Sequence, residues 1–124
     1  MHEYGITTML VEKIINEVNT NMGKRVIDVE VEIGEFTFLN FDQIEFCYET
    51  LIPDSILKGS KILLKQKEGK VRCDNCHYEG KANTLGEEEG IHFGVVTFMC
   101  PECEGYTRII EGQDFVIRRI KIVT

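Results

Sequence analysis

Cys73-Asp74-Asn75-Cys76 and Cys100-Pro101-Glu102-Cys103 are the stretches from which the rest of this 124-residue chain is read. A two-residue spacer lets both thiolates of a pair point at one ion, with backbone amides turned toward the sulfurs. Two such pairs supply four soft ligands in a tetrahedron, the geometry of a closed structural zinc site. The segment between them, residues 77–99, is slightly longer than the usual zinc-ribbon spacer. Cys73, Cys76, Cys100 and Cys103 are therefore expected to form a tetrathiolate site in an inserted zinc-ribbon-like domain. Spacing does not separate zinc from iron.

Two other readings of the cysteines are weaker. Cys73 to His77 matches the Cys-x-x-Cys-His pattern of covalent haem attachment, but that chemistry normally follows export, and the second pair is followed by Glu104. A thioredoxin-like dithiol would sit between a strand and a helix, whereas Gly80 and Gly105 follow these pairs and signal turns.

The chain is long enough for one ordinary domain carrying a smaller metal-held insert. Hydrophobic residues make up 43% of it, yet no apolar run approaches the ~18 residues of a membrane span. Met1-His2-Glu3-Tyr4 lacks the basic start of a signal peptide, so the expected location is the cytoplasm, where cysteines serve as ligands and core residues. Net charge is −7, from 14 basic and 21 acidic residues. That balance argues against nucleic-acid binding, which needs clustered Lys and Arg, and between the Cys pairs only Lys81 faces Glu79, Glu87, Glu88 and Glu89. Glu87-Glu88-Glu89 reads as a solvated loop tip.

In chain order, Ile6, Leu10, Ile14 and Val18, joined by Met9, Val11 and Ile15, predict a helix from about Glu3 to Met22. Gly23 is expected to end it with a positive φ. Val29, Val31 and Ile33 alternate with acidic residues, as in a strand buried on one face. Asn40 is placed to cap a second helix, with Gln43 at its third position and Phe41, Ile44, Tyr48, Leu51 and Ile52 as its stripe. Cys47 falls on that stripe and reads as a small buried hydrophobe. Lys61–Lys65 predicts a second strand, Lys67–Arg72 a polar crossing, Arg108–Ile110 a short strand, and Phe115–Val123 a third long strand. In the last, Phe115 and Ile117 fit one face while Ile120 and Ile122 fit the other, which requires a bulge or burial on both sides. The expected fold class is α+β, with two helices packed on a small three-stranded sheet and the metal module inserted before the last strand.

Met1-His2-Glu3 has a specific chemistry of its own. A terminal amine, the His2 backbone nitrogen and the His2 imidazole can close two chelate rings around one cation, and Ni²⁺ accepts such a square-planar nitrogen set. Glu3 could orient His2 or add an oxygen.

The start Met1-His2-Glu3, Ile33-Gly34-Glu35-Phe36, Glu45-Phe46-Cys47-Tyr48-Glu49, both Cys pairs, and Gly112 through Arg118-Arg119-Ile120-Lys121-Ile122 together resemble the HypA family of nickel-incorporation accessory proteins. Tyr4-Gly5 departs from the small-aliphatic and Ser residues usual there, and the long spacer is similar to that of archaeal members. The resemblance implies a metallochaperone and not an enzyme. It implies that His2, with Met1 and Glu3 backbone groups, binds Ni²⁺ releasably as cargo, while Cys73, Cys76, Cys100 and Cys103 hold structural Zn²⁺. It also implies partnership with the GTPase HypB and delivery to the NiFe-hydrogenase large subunit. Charge balance and the lack of a long apolar run separately lead to the expectation of no nucleic-acid and no membrane partner, and the sequence leaves monomer and homodimer both open. Residues 1–66 and 112–124 would form the α/β nickel-binding domain and 67–111 the inserted zinc-binding domain. His92 is an auxiliary candidate that would reach the nickel if the insert folds back, and His77 follows a ligand Cys. The plain reading of both is a solvated imidazole.

Overall fold

Helix α1, Glu3–Thr20, forms because apolar residues recur at helical spacing, with Leu10, Val11, Ile14 and Val18 buried along one face. The buried stripe continues upstream through Thr7 to Glu3, which is only 8% exposed. Met9, expected on the stripe, is half exposed. The helix closes as a Schellman turn: the Gly23 N–H donates to the Val18 carbonyl at 2.8 Å, and the Met22 N–H to Asn19 at 3.2 Å. The left-handed residue of that turn is Met22, at φ 56°, and not Gly23 as the sequence suggested. Glycine is required at 23 for space, since a Cβ there would lie 2.6 Å from Val18 Cγ1.

The computed structural model describes residues 2–85 and 95–124. The chain divides into two compact units, one comprising Met1–Ile33, Phe38–Gln66 and Phe115–Thr124, the other Gly34–Thr37 and Lys67–Asp114.

In the first unit, β1 (Arg25–Gly34), β2 (Lys61–Lys67) and β8 (Phe115–Val123) form a sheet of order β2-β1-β8, with β1 and β8 antiparallel. Val29, Val31 and Ile33 are buried while Glu30 and Glu32 are half exposed, as period-2 alternation requires. The phase conflict in the last strand is settled by a bulge. Glu30 pairs with Arg119 and Val31 with Ile117, leaving Arg118 as the extra residue. Phe115, Ile117, Ile120 and Ile122 thereby all pack against one core. A second bulge leaves Ile27 unpaired between Val26 and Asp28, and so brings Val26 into phase with Val29.

Helix α2, Phe41–Leu51, begins as expected: the Asn40 side chain accepts the Gln43 N–H at 3.0 Å. Ile44, Cys47 and Tyr48 are buried on its inner face. The buried Tyr48 hydroxyl pairs with Ser60. Together α1, α2 and the sheet enclose one core containing Leu10, Ile14, Val29, Val31, Ile44 and Tyr48. Each such apolar side chain contributes about 1.5–3 kcal/mol on burial.

The second unit holds β3 (Lys70–Cys73), β4 (Glu79–Gly80) and β7 (Thr107–Glu111) in the order β4-β3-β7, and the pair β5 (Asn83–Leu85) and β6 (Val95–Thr97). Part of the expected polar crossing is in fact strand β3, because Val71 and Cys73 are buried between Lys70 and Arg72. A short 3₁₀ turn, Glu35–Thr37, packs in this unit. Glu35 accepts the Gly69 N–H at 2.8 Å, and the Phe36 ring meets Phe98 edge-on at 5.4 Å. No helix among the described residues is long and apolar enough to cross a membrane.

Candidate metal centre

The two Cys-x-x-Cys segments fold alike. In the first, the His77 N–H donates to the Cys73 carbonyl at 2.9 Å, and the Cys73 N–H donates to Tyr78 at 2.8 Å. In the second, the Glu104 N–H donates to Cys100 at 3.0 Å, and the Cys100 N–H donates to Gly105 at 2.6 Å. Each turn is finished by a residue in the left-handed region, His77 at φ 65° and Glu104 at φ 63°. The repeated geometry turns both sulfurs of a pair in one direction.

The four Sγ atoms lie within 4.8 Å of one another, with Cys73–Cys103 and Cys76–Cys100 both at 3.5 Å. Zinc–sulfur bonds of about 2.3 Å in a tetrahedron put sulfurs about 3.8 Å apart, so the four sulfurs stand near the spacing such an ion needs. Cys73 and Cys100 are buried, Cys103 is half-buried and Cys76 is exposed. Protein donors reach the sulfurs as well: Asn75 Nδ2 to Cys103 at 3.5 Å and the Glu102 N–H to Cys100 at 3.4 Å.

Four neighbouring thiols resist ionising together. The Asn75 amide, then the Gly105 backbone and the Cys73 thiol, lower the Cys103 pKa to about 6. At Cys76 the Tyr78 backbone pulls the other way, but desolvation and the three adjacent sulfurs carry the thiol up to about 12. A divalent cation resolves the conflict by displacing every proton.

At the other candidate site, His2 heads α1. Its carbonyl accepts the Ile6 N–H at 2.9 Å, while its side chain makes no capping hydrogen bond and is exposed. Glu3 points the other way. Its Oε2 accepts the Asn40 N–H at 2.9 Å, so this carboxylate is bonded to the start of α2. The terminal ammonium and then the Asn40 amide lower its pKa to about 2. Met1, His92 and Glu87-Glu88-Glu89 lie outside the described residues, and His77 is exposed beside its knuckle. The four cysteines form the one group of three or more convergent His, Cys, Asp or Glu ligands among the described residues.

The family model described as "Hydrogenase/urease nickel incorporation, metallochaperone, hypA" matches residues 1–122. The chain belongs to the HypA family. The hydrogenase maturation factor HypA of Methanothermobacter thermautotrophicus is 33% identical over 123 residues, covering 98% of this chain and 97% of that one. HypA of Methanocella arvoryzae is 30% identical over 122 residues, covering 98% of each. The solution structure of the Ni metallochaperone HypA from Helicobacter pylori superposes with a TM-score of 0.68 at 19% identity, covering 99% of this chain and 98% of that one. The α+β fold seen here is thus the HypA fold.

Two asparagines make contacts that the sequence did not signal. Asn75 was only a spacer between cysteines, and its side-chain amide donates to the Cys103 sulfur. Asn40 was read as a helix cap, and its backbone also binds Glu3 across 37 residues of sequence. No local pattern signals that contact. The one available hint was the placement of Glu3 four residues before buried Thr7, on the inward side of α1.

Proposed function

We propose that the protein carries Ni²⁺ on the backbone and imidazole of His2, with backbone groups of Met1 and Glu3, and gives it up during hydrogenase maturation. The observation that carries this reading, within a nickel-incorporation family, is the state of His2: it starts α1 through its carbonyl and keeps its exposed imidazole out of the cap. Few protein-supplied nitrogens make an open, tradeable site. Glu3 then contributes through its backbone, because its side chain is bonded to Asn40. The four cysteines hold Zn²⁺, which supplies a cross-link between two turns and, having no free coordination position, no hydrolytic chemistry. The protein acts in this reading as a carrier and not as an enzyme, in the reducing cytoplasm. HypB and the NiFe-hydrogenase large subunit are the expected partners.

The test is calorimetric titration of Ni²⁺ into the native protein, into His2→Ala, and into a chain with residues added before Met1. Both changes should abolish nickel binding while one zinc per chain is retained. Nickel binding that survives both would remove the terminal site from consideration.

A further inference from the structure

Between Arg25 and Lys58 the sequence holds eight carboxylates and no Lys or Arg, while charges elsewhere nearly cancel. The three in β1 are engaged by neighbouring strands: Glu30 by Lys65 at 2.8 Å, Glu32 by Arg118 at 2.8 Å, and Asp28 by Arg119 at 3.8 Å. Those on α2 differ. Asp42, Glu45 and Glu49 recur at helical spacing on its outer face, all exposed, and none is in an ion pair seen among the described residues. Between them sits Phe46, with 65% of its surface open to solvent.

Asp42 suits the first turn of the helix, but the charges that follow it are locally unfavourable. Like charges three and four residues apart repel, and Glu49 lies near the helix C-terminus, where a cation would be favoured and none is present. The inner face, with Ile44, Cys47 and Tyr48, already anchors α2, so Phe46 adds nothing to the core. An aromatic flanked by carboxylates over two turns of a helix has the form of an interface anchor with a charged rim. We infer that the outer face of α2 docks a partner protein through a surface of opposite character, an apolar pocket for Phe46 bordered by Lys and Arg. Carboxylates at the rim speed encounter with the basic partner, and the ring supplies the buried contact that slows release. The inference rests on the carrier reading for the identity of the proteins to be tried.

The experiment uses the full zinc-loaded chain, with purified HypB and the hydrogenase large subunit from the same organism as probes in surface plasmon resonance. Variants are Phe46→Ala and the triple change Asp42→Asn, Glu45→Gln, Glu49→Gln. Both alter exposed side chains, and thermal melts check that folding is unchanged. Phe46→Ala should weaken binding to one of the two probes tenfold or more, chiefly through faster dissociation. The triple variant should slow association and flatten its salt dependence. Variants that bind like the native chain overturn the inference, as does a native chain that binds neither probe. A native dimer that Phe46→Ala converts to monomer also overturns it, because the occupant is then a second copy. His2→Ala separates the two readings: docking should persist in it, and nickel titration of the α2 variants should be unchanged.

Discussion

The carboxylate of Glu3, at the start of α1, accepts a hydrogen bond from the backbone of Asn40, the residue that caps α2. One side chain therefore ties the terminal tripeptide to the second helix, and negative charge at a helix N-terminus is favoured by the backbone dipole. Glu3→Ala should lower the melting temperature and weaken nickel binding together, whereas Glu3→Gln, which keeps an acceptor, should restore part of both. Thermal melts and nickel calorimetry on the two variants check this. Loss of nickel affinity with an unchanged melt would assign the carboxylate to the metal and not to Asn40.

Removing the metal from the four-sulfur site should act on one unit. If the four cysteines hold zinc as proposed, Cys73→Ala or Cys100→Ala should lose it and disorder the two knuckle turns, since structural zinc contributes roughly 10–16 kcal/mol of apparent binding energy in small zinc modules. Helices α1 and α2 draw their core from the other unit and should persist. Metal analysis by mass spectrometry, with far-UV circular dichroism, tests both halves. Collapse of the helical signal on zinc loss would contradict the division.

What could be read in advance was local. The Asn40–Gln43 cap and the alternation of Val29, Val31 and Ile33 depend on neighbours in sequence, and they stand as expected. The end of α1 was misplaced because glycine has two uses: here the small side chain at Gly23 is needed against Val18, while Met22 takes the left-handed turn. Strand β3 escaped notice because only Val71 and Cys73 mark it, and its partners Ile109 and Thr107 lie more than thirty residues on. The four cysteines were legible as a group since chemistry and spacing agreed. The Glu3–Asn40 contact was not, because a charged residue on an apolar stripe carries no sign of its distant partner.

Burial raises the Tyr48 phenol pKa above its ordinary value, partly opposed by its hydrogen bond to Ser60. A raised folded-state pKa means that this group's stabilisation is complete below the unfolded value of about 10 and is lost as pH rises through the folded one. Urea unfolding at pH 8 and pH 11 should show alkaline destabilisation that shrinks in the double variant Tyr48→Phe, Ser60→Ala. Ser60→Ala alone leaves the buried phenol unpaired and should cost about 1–3 kcal/mol at pH 8. An alkaline transition unchanged in the double variant would place its origin elsewhere.

Phe36 is 5% exposed and lies against Gly69 and Gly112, where glycine leaves room for the ring. Gly112, at φ +109°, is doubly constrained, since a Cβ would also lie 2.7 Å from Gly69 Cα. Phe36→Ala should destabilise the unit containing Gly34–Thr37 by about 3–5 kcal/mol, and hydrogen exchange should quicken in β3 and β7 before β1. Uniform loss of protection across both units would show that Phe36 supports the whole chain and not this part of it.

The bulge in β8 makes an unusual demand on deletions. Arg118 is the one residue between Ile117 and Arg119 without a partner on β1. Deleting it leaves Phe115, Ile117, Ile120 and Ile122 in regular alternation, so the inward set is preserved and register is repaired instead of broken. The interaction lost is the ion pair with Glu32, a partly exposed contact worth about 0–1 kcal/mol. Deleting Lys121 does the opposite: it turns Ile122 away from the core and brings Val123 inward at the end of the strand. That loss should approach the roughly 1.5–3 kcal/mol of one buried aliphatic side chain. The Arg118 deletion should therefore melt within a few degrees of the native chain, and the Lys121 deletion well below it. If the order of the two melting temperatures is reversed, the bulge does more than re-phase the strand, and its local twist is itself required by the sheet.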